Sequence, residues 1–137
     1  MTGYEFVGYQ LINATAVTTI VGAGSAANVW HGLRPQTTDL PCINYFELSG
    51  NRYNGFETRS FSINCRSATA AGARDLARVV VTAFAGADGN GGYGTVNSFD
   101  VARASLRNDN GLIPEVEDKV FNAPVDITVV YASNTVS

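Results

Sequence analysis

One stretch of this chain limits its fold more than any other. From Phe56 to Arg66 the residues alternate, with Phe61, Ile63 and Cys65 on one side and Thr58, Ser60, Ser62, Asn64 and Arg66 on the other. A period of two is that of a strand with one buried and one wet face. The segment Ala68–Ala85 then changes to three- and four-residue spacing. Ala73, Leu76, Ala77, Val80, Ala83 and Phe84 form a stripe, and Arg74, Asp75, Arg78 and Thr82 lie opposite it. Gly86 ends the run. A half-apolar strand followed at once by a half-apolar helix requires the two apolar faces to meet, which predicts a helix layer on a sheet.

The remaining segments fit around that pair. Thr2-Gly3-Tyr4-Glu5 has the form of a capping box. Phe6, Val7, Tyr9, Leu11, Ile12, Ala16, Val17, Ile20 and Val21 recur at helical spacing until Gly22 and Gly24, and Asn13-Ala14-Thr15 can divide this segment into two shorter helices. A short strand is expected at Asn28–His31, then a loop to Leu40, then a strand opened by Pro41 over Cys42–Leu48. Ser49–Gly55 reads as a long turn joining that strand to Phe56–Arg66 in an antiparallel hairpin. Asp88–Gly94 reads as a glycine-rich flexible loop, Thr95–Arg107 as a strand, Asn108–Gly111 as a turn and Leu112–Asp118 as a solvated acidic loop. Phe121–Ala132 is the last strand, and the tail from Ser133 to Ser137 should fray. The order predicts one α+β domain over residues 1–137: a mainly antiparallel sheet of four to five strands with two helices packed on one face. The other face should show Ser60, Ser62, Asn64, Arg66, Asp126 and Thr128 to solvent.

Composition narrows the function. Of 137 residues 45% are apolar and only 15% charged, against about 25% charged in typical domains. Such a coat of Ser, Thr, Asn and Gly suits a chain that buries much of its outside against neighbours. The net charge is −3, and Arg34, Arg52, Arg59, Arg66, Arg74, Arg78, Arg103 and Arg107 are scattered, with no basic stripe for nucleic acid. No apolar run approaches the roughly 20 residues of a membrane span, and the start lacks the basic region of a signal peptide. Two cysteines and one histidine make neither a disulfide framework nor a zinc site. A soluble, cytosolic chain without cofactor or metal is expected.

Several motifs invite chemistry. Gly22-Ala23-Gly24-Ser25-Ala26-Ala27 has the spacing of a dinucleotide fingerprint, with Glu47 where a ribose-binding acid would stand. That motif needs a strand before it and a helix after it, and here a helix precedes it. Gly89–Gly94 repeats the glycine spacing in inverted context, and read from Asp88 it fails as an EF-hand at Tyr93 and Phe99. His31 could pair with Cys42 or Cys65, but both cysteines sit at apolar strand positions where packing is the simpler role. Glu115, Glu117 and Asp118 read as a solvated run, and the Asn13-Ala14-Thr15 sequon matters only to a secreted chain. The hairpin tip is different. Arg52, Tyr53, Asn54, Phe56 and Arg59 gather the residue types that anchor protein interfaces, and they form the candidate partner surface. The alternative is that they fold back onto their own sheet.

The order of these segments resembles a known family. Leu11–Gly22, Leu40-Pro41-Cys42-Ile43-Asn44-Tyr45, Phe61–Thr69 running into an Ala-rich helix that ends at Phe84-Ala85-Gly86, and Val125-Asp126-Ile127-Thr128-Val129-Val130-Tyr131 follow one another. This is similar to the tail terminator (tail completion, or tail-to-head joining) proteins of long-tailed, siphovirus-like bacteriophages and related prophage elements. The likeness covers nearly the whole chain, and the Asp88–Gly94 loop is longer than the family pattern. The resemblance implies a non-enzymatic virion protein, assembled in the host bacterial cytoplasm and located in the tail or neck. It would form a six-fold ring that caps the head-proximal end of the tail tube, ends tube growth and joins a head connector or stopper protein. DNA would pass through its lumen without specific binding. A ring requires a heterologous interface that closes. Two other readings stand beside it: another neck or tail-tube component, and a small nucleotide-binding enzyme using Gly22–Ala27 and Glu47.

Overall fold

The alternation over Phe56–Arg66 becomes β3 (Phe56–Ser67) in the computed structural model of the chain, which describes residues 3–22, 27–32, 40–53, 55–86, 92–96, 99–109, 111–115 and 119–132. Strand β3 pairs antiparallel along its whole length with β2 (Cys42–Tyr53) on one side and β7 (Val120–Ala132) on the other. Beyond β7 lie β5 (Phe99–Asp109) and β4 (Gly92–Val96), both antiparallel to their neighbours. Beyond β2 lies β1 (Val29–His31), the one parallel partner among the described residues. The short β6 (Ile113–Glu115) continues past the end of β5 along the same side of β7.

Three helices form the second layer: α1 (Gly3–Asn13), α2 (Thr15–Val21) and α3 (Ala70–Ala85). The Asn13–Thr15 break occurs as expected. Ala14 is extended at φ −71°, ψ 115°, while its carbonyl already accepts from Val17 and Thr18. Helix α3 starts at Ala70 rather than Ala68 because Thr69 is its cap: Thr69 Oγ1 accepts from the Gly72 amide at 3.0 Å. Thr2 of the supposed capping box lies outside the described residues.

The core is the meeting of the two apolar faces. Phe61, Ile63 and Cys65 of β3, Val125, Ile127 and Val129 of β7, and Ile43 and Tyr45 of β2 lie under Leu76, Val80 and Phe84 of α3 and under Phe6, Val7, Leu11 and Val17 of α1 and α2. Phe6 meets Phe84 edge to face, with ring centroids 6.2 Å apart. Each fully buried side chain of this size contributes about 1.5–3 kcal/mol by leaving water, so these side chains set the helix positions on the sheet.

The α+β class and the mainly antiparallel sheet are as expected, with seven strands and three helices among the described residues. Four segments differ in detail. Most of Ser49–Gly55 is strand rather than turn. The strand placed at Thr95–Arg107 is a hairpin of β4 and β5, so Gly92 and Gly94 belong to a strand, while residues 87–91 lie outside the described set. The acidic loop contains β6, whose backbone is paired to β7. Finally, the sheet face away from the helices is polar but largely not wet: Ser60, Ser62, Asn64 and Asp126 are buried, and Arg66 and Thr128 half-buried. Apart from Arg66 these side chains are short, they sit on the central strands, and hydrogen bonds tie several of them to one another or to neighbours. Ser60 and Thr128 share one at 3.2 Å, Asn122 donates to Asn64 at 3.0 Å, and Arg66 Nε donates to Glu115 at 2.7 Å.

Two substitutions grade this account by urea unfolding. Phe61→Ala should cost about 3–5 kcal/mol through cavity formation. Thr69→Ala should cost about 1 kcal/mol through the lost cap. Equal costs would show that the interlayer core is not what holds α3.

Candidate functional site

The hairpin is longer than helix α3, which packs on it. Twelve residues of β3 at about 3.3 Å each span roughly 40 Å, whereas sixteen residues of α3 at about 1.5 Å each span roughly 24 Å. The sequence marks where the apolar face of β3 ends. On the helix-side face of β3, Cys65, Ile63 and Phe61 give way to Arg59 and Glu57. The two strands also run on to the tip: Tyr53 pairs with Phe56, leaving Asn54 and Gly55 as the connection. Gly55 has φ +81°, the left-handed region that glycine adopts freely. Asn-Gly is the strongest short hairpin signal in a sequence, and it identifies this connection better than a seven-residue turn does.

Toward the tip, on the same face, a charge network forms around Glu57, which the sequence reading did not single out. Its side chain is only 4% exposed, and its Oε1 accepts from Arg59 Nη2 at 3.0 Å and Arg52 Nη2 at 3.1 Å. Tyr131 of β7, opposite Glu57 in register, adds a third hydrogen bond. Arg59 also approaches Glu47 at 3.8 Å. The Arg59 hydrogen bond, reinforced by Arg52 and Tyr131, outweighs desolvation and holds the Glu57 carboxyl below the usual glutamate value. The same bond raises Arg59. Burial, then the neighbouring Glu57 charge, pushes the Tyr131 phenol up to about 12, so it stays a donor. Gly50, opposite Arg59 in β2, makes the arrangement possible: a Cβ there would lie 2.1 Å from Arg59 Cδ. The missed signal was register, since a two-residue Asn54-Gly55 connection puts Arg52 opposite Glu57.

Of the five residues expected at the tip, the three whose side chains are described, Arg52, Phe56 and Arg59, do not share one face. Arg52 and Arg59 converge on the helix-side face, Arg59 as an internal ion pair and Arg52 with its side chain 65% exposed. Phe56 is 47% exposed on the opposite face. Tyr53 is placed by its backbone pairing with Phe56, and Asn54 lies outside the described residues. Because β1 pairs only with Ile43–Tyr45, β2 from Phe46 onward is an edge strand among the described residues, and Phe46 and Leu48 are exposed along it. Natural edges of this length usually carry charge or proline as protection.

The other candidates fall into structural roles. The residues before Gly22 are helix α2, and the next described element after the glycine segment is strand β1, the reverse of a dinucleotide loop. Residues 23–26 of that segment lie outside the described set. The His31 ring lies against Tyr45, centroids 5.2 Å apart. Cys42 and Cys65 are buried and form no disulfide. They sit one register step apart, opposite Arg66 and Ile43, on alternate sheet faces. Burial raises the Cys65 thiol, the opposite of nucleophile activation. Glu115 is the partner of Arg66, while Glu117 and Asp118 lie outside the described residues. Among the described residues no helix is long and apolar enough to cross a membrane.

Glu57→Gln should lower stability by about 1–3 kcal/mol, since it leaves two guanidinium groups facing each other. Because the native carboxyl lies below its unfolded value of about 4.5, its contribution is whole above that pH and is lost as pH falls through the native value. The variant should therefore show a flatter fall in stability below pH 4.5 in denaturant titrations. Gly50→Ala should flatten it similarly, by displacing Arg59 with no charge removed. An acid limb unchanged in both variants would rule the network out as its cause.

No protein-family model matches the chain, and no curated protein matches it. Among solved structures, the chain is similar to a chain of a structure described as the virion of a native gene transfer agent (GTA) particle. The two align with a TM-score of 0.63 at 15% identity, over 92% of this chain and 91% of that one. At that identity the finding concerns fold: the whole arrangement of helices and sheet is shared with a component of that particle.

Proposed function

We propose that the chain is a structural component of a phage-like virion, and within that class a tail terminator. The observation that carries this reading is the fold likeness, running nearly end to end in both chains, to a component of a gene transfer agent virion. The segment order that resembles the tail terminator family supports the narrower assignment. In this reading six copies form a ring on the head-proximal end of the tail tube. The ring stops tube growth and receives the connector or stopper protein of the head, and DNA crosses its lumen without specific binding. The work is done by surfaces and not by a catalytic group.

The hairpin end is the proposed contact with the tail tube. Beyond the helices it offers Phe56 on one face, Arg52 on the other, and Phe46 and Leu48 along the β2 edge. An apolar centre ringed by arginine and small polar residues is the composition of protein interfaces. Tyr53 and Asn54 at the tip belong to the same proposed surface. Arg59 contributes indirectly, by holding Glu57 and so the shape of the hairpin.

The test is to mix the purified chain with tail-tube protein and follow it by light scattering and electron microscopy. Tubes that stop at uniform length with a closed ring at one end are expected. Tubes into which the chain copolymerises without limit would favour a tail-tube component, and a chain that ignores the tube protein would overturn the assignment. Phe56→Ser and Arg52→Gln should leave the subunit folded and reduce capping about tenfold or more, the loss of a side chain worth at least 1.4 kcal/mol at an interface. Unchanged capping in both would move the contact away from the hairpin.

A further inference from the structure

On the opposite side of the fold from the hairpin tip, an open groove of about 410 Å³ runs between α3 and the β5–β6 edge of the sheet. Two small residues help line it, Ala77 on α3 and Ala123 on β7. A register shift after Leu106 and the turn at Gly111, with φ +73°, carry the chain along the groove to Leu112. Val81, Leu106, Leu112 and Val125 complete an apolar lining. The volume lies within the roughly 300–1,000 Å³ of ligand and side-chain pockets.

The rim is cationic. Arg74 and Arg78, one helical turn apart on α3, both border the groove. Arg78 is paired to Asp75 at 2.9 Å, in an exposed contact worth little. Arg74 has no hydrogen bond or ion pair among the described residues. An apolar trough with a free guanidinium at its edge complements a segment that carries both apolar side chains and a carboxylate. The chain's own acidic run is a poor occupant. Glu115 is tied to Arg66 on the far face of the sheet, only three residues after the Leu112 that already walls the groove.

We infer that this groove docks an acidic, leucine-type segment of a partner protein, with its apolar side chains between α3 and β5 and a carboxylate on Arg74. The site is separate from the hairpin surface and does not depend on the tail-end assignment. It gives the subunit a second protein contact on another part of its surface.

The experiment titrates the whole chain with two short synthetic peptides, one alternating leucine with glutamate and one alternating leucine with lysine, and follows backbone amide resonances by NMR. The glutamate peptide should shift the amides of Ala77, Val81 and Leu106. The lysine peptide should bind at least about tenfold more weakly, and Arg74→Glu should weaken the glutamate peptide by about tenfold, the scale of one charge-assisted contact. Val81→Asp, which places a carboxylate in the trough while leaving the rim intact, should abolish binding. Equal binding of the two peptides, shifts confined to other surfaces, or no binding would each overturn the inference. Concentration-dependent self-association that shifts the same amides without peptide would also overturn it, by showing that a second copy fills the groove.

Discussion

The structure depends on the burial of one face of β3. That strand carries both long ladders of the sheet, to β2 and to β7, and its Phe61, Ile63 and Cys65 form the floor on which α3 lies. Remove that apolar face and the helices lose their seat, the ladders lose their common member, and the hairpin has no base from which to extend. The parallel β1 and the short β6 are secondary: each adds three residues of pairing to strands already held from the other side.

Along β3 the same face carries two different jobs in sequence. Near the helices it is apolar and drives packing. Past Phe61 it becomes ionic, with Glu57 and Arg59 filling the position that a core residue would hold if the helices were longer. The buried carboxylate is tolerated there because three donors satisfy it and both arginines keep part of their side chains exposed. Geometry comes from Gly50, whose missing side chain leaves the path that Arg59 takes across the ladder.

Legibility in the sequence followed the strength of periodicity. The alternation of Phe56–Arg66, the stripe from Ala73 to Phe84 and the Asn13–Thr15 break could be read because a period of two or of 3.6 leaves few alternatives. The hairpin residues were found, but their arrangement was not. Polar residues over Ser49–Gly55 look like a turn by composition, and only the Asn54-Gly55 pair announces that both strands continue to the tip. Residues 112–118 misled in the same way, since proline and acids suggest solvent while pairing to β7 and the Arg66 contact are long-range facts. The buried polar face was missed because alternation tells which residues share a face. It does not tell whether short side chains on central strands will be covered by their neighbours. The α3 groove had no sequence signal, since its lining comes from α3, β5, β7 and Gly111–Leu112, which only the fold brings together.

The unequal reach of the layers has a mechanical consequence. Where helices lie on the sheet, bending a strand means compressing a close-packed interior, and interiors of this density resist it. Toward the tip β3 stays paired to β2 on one side and to β7 on the other, as far as Phe56 and Ala132. A twist applied there is carried by three strands together and by the ion pairs of Glu57. Load at a docking surface near the tip therefore meets ladders and directional ionic contacts first, and the helix-covered interior behind Phe61 only after them.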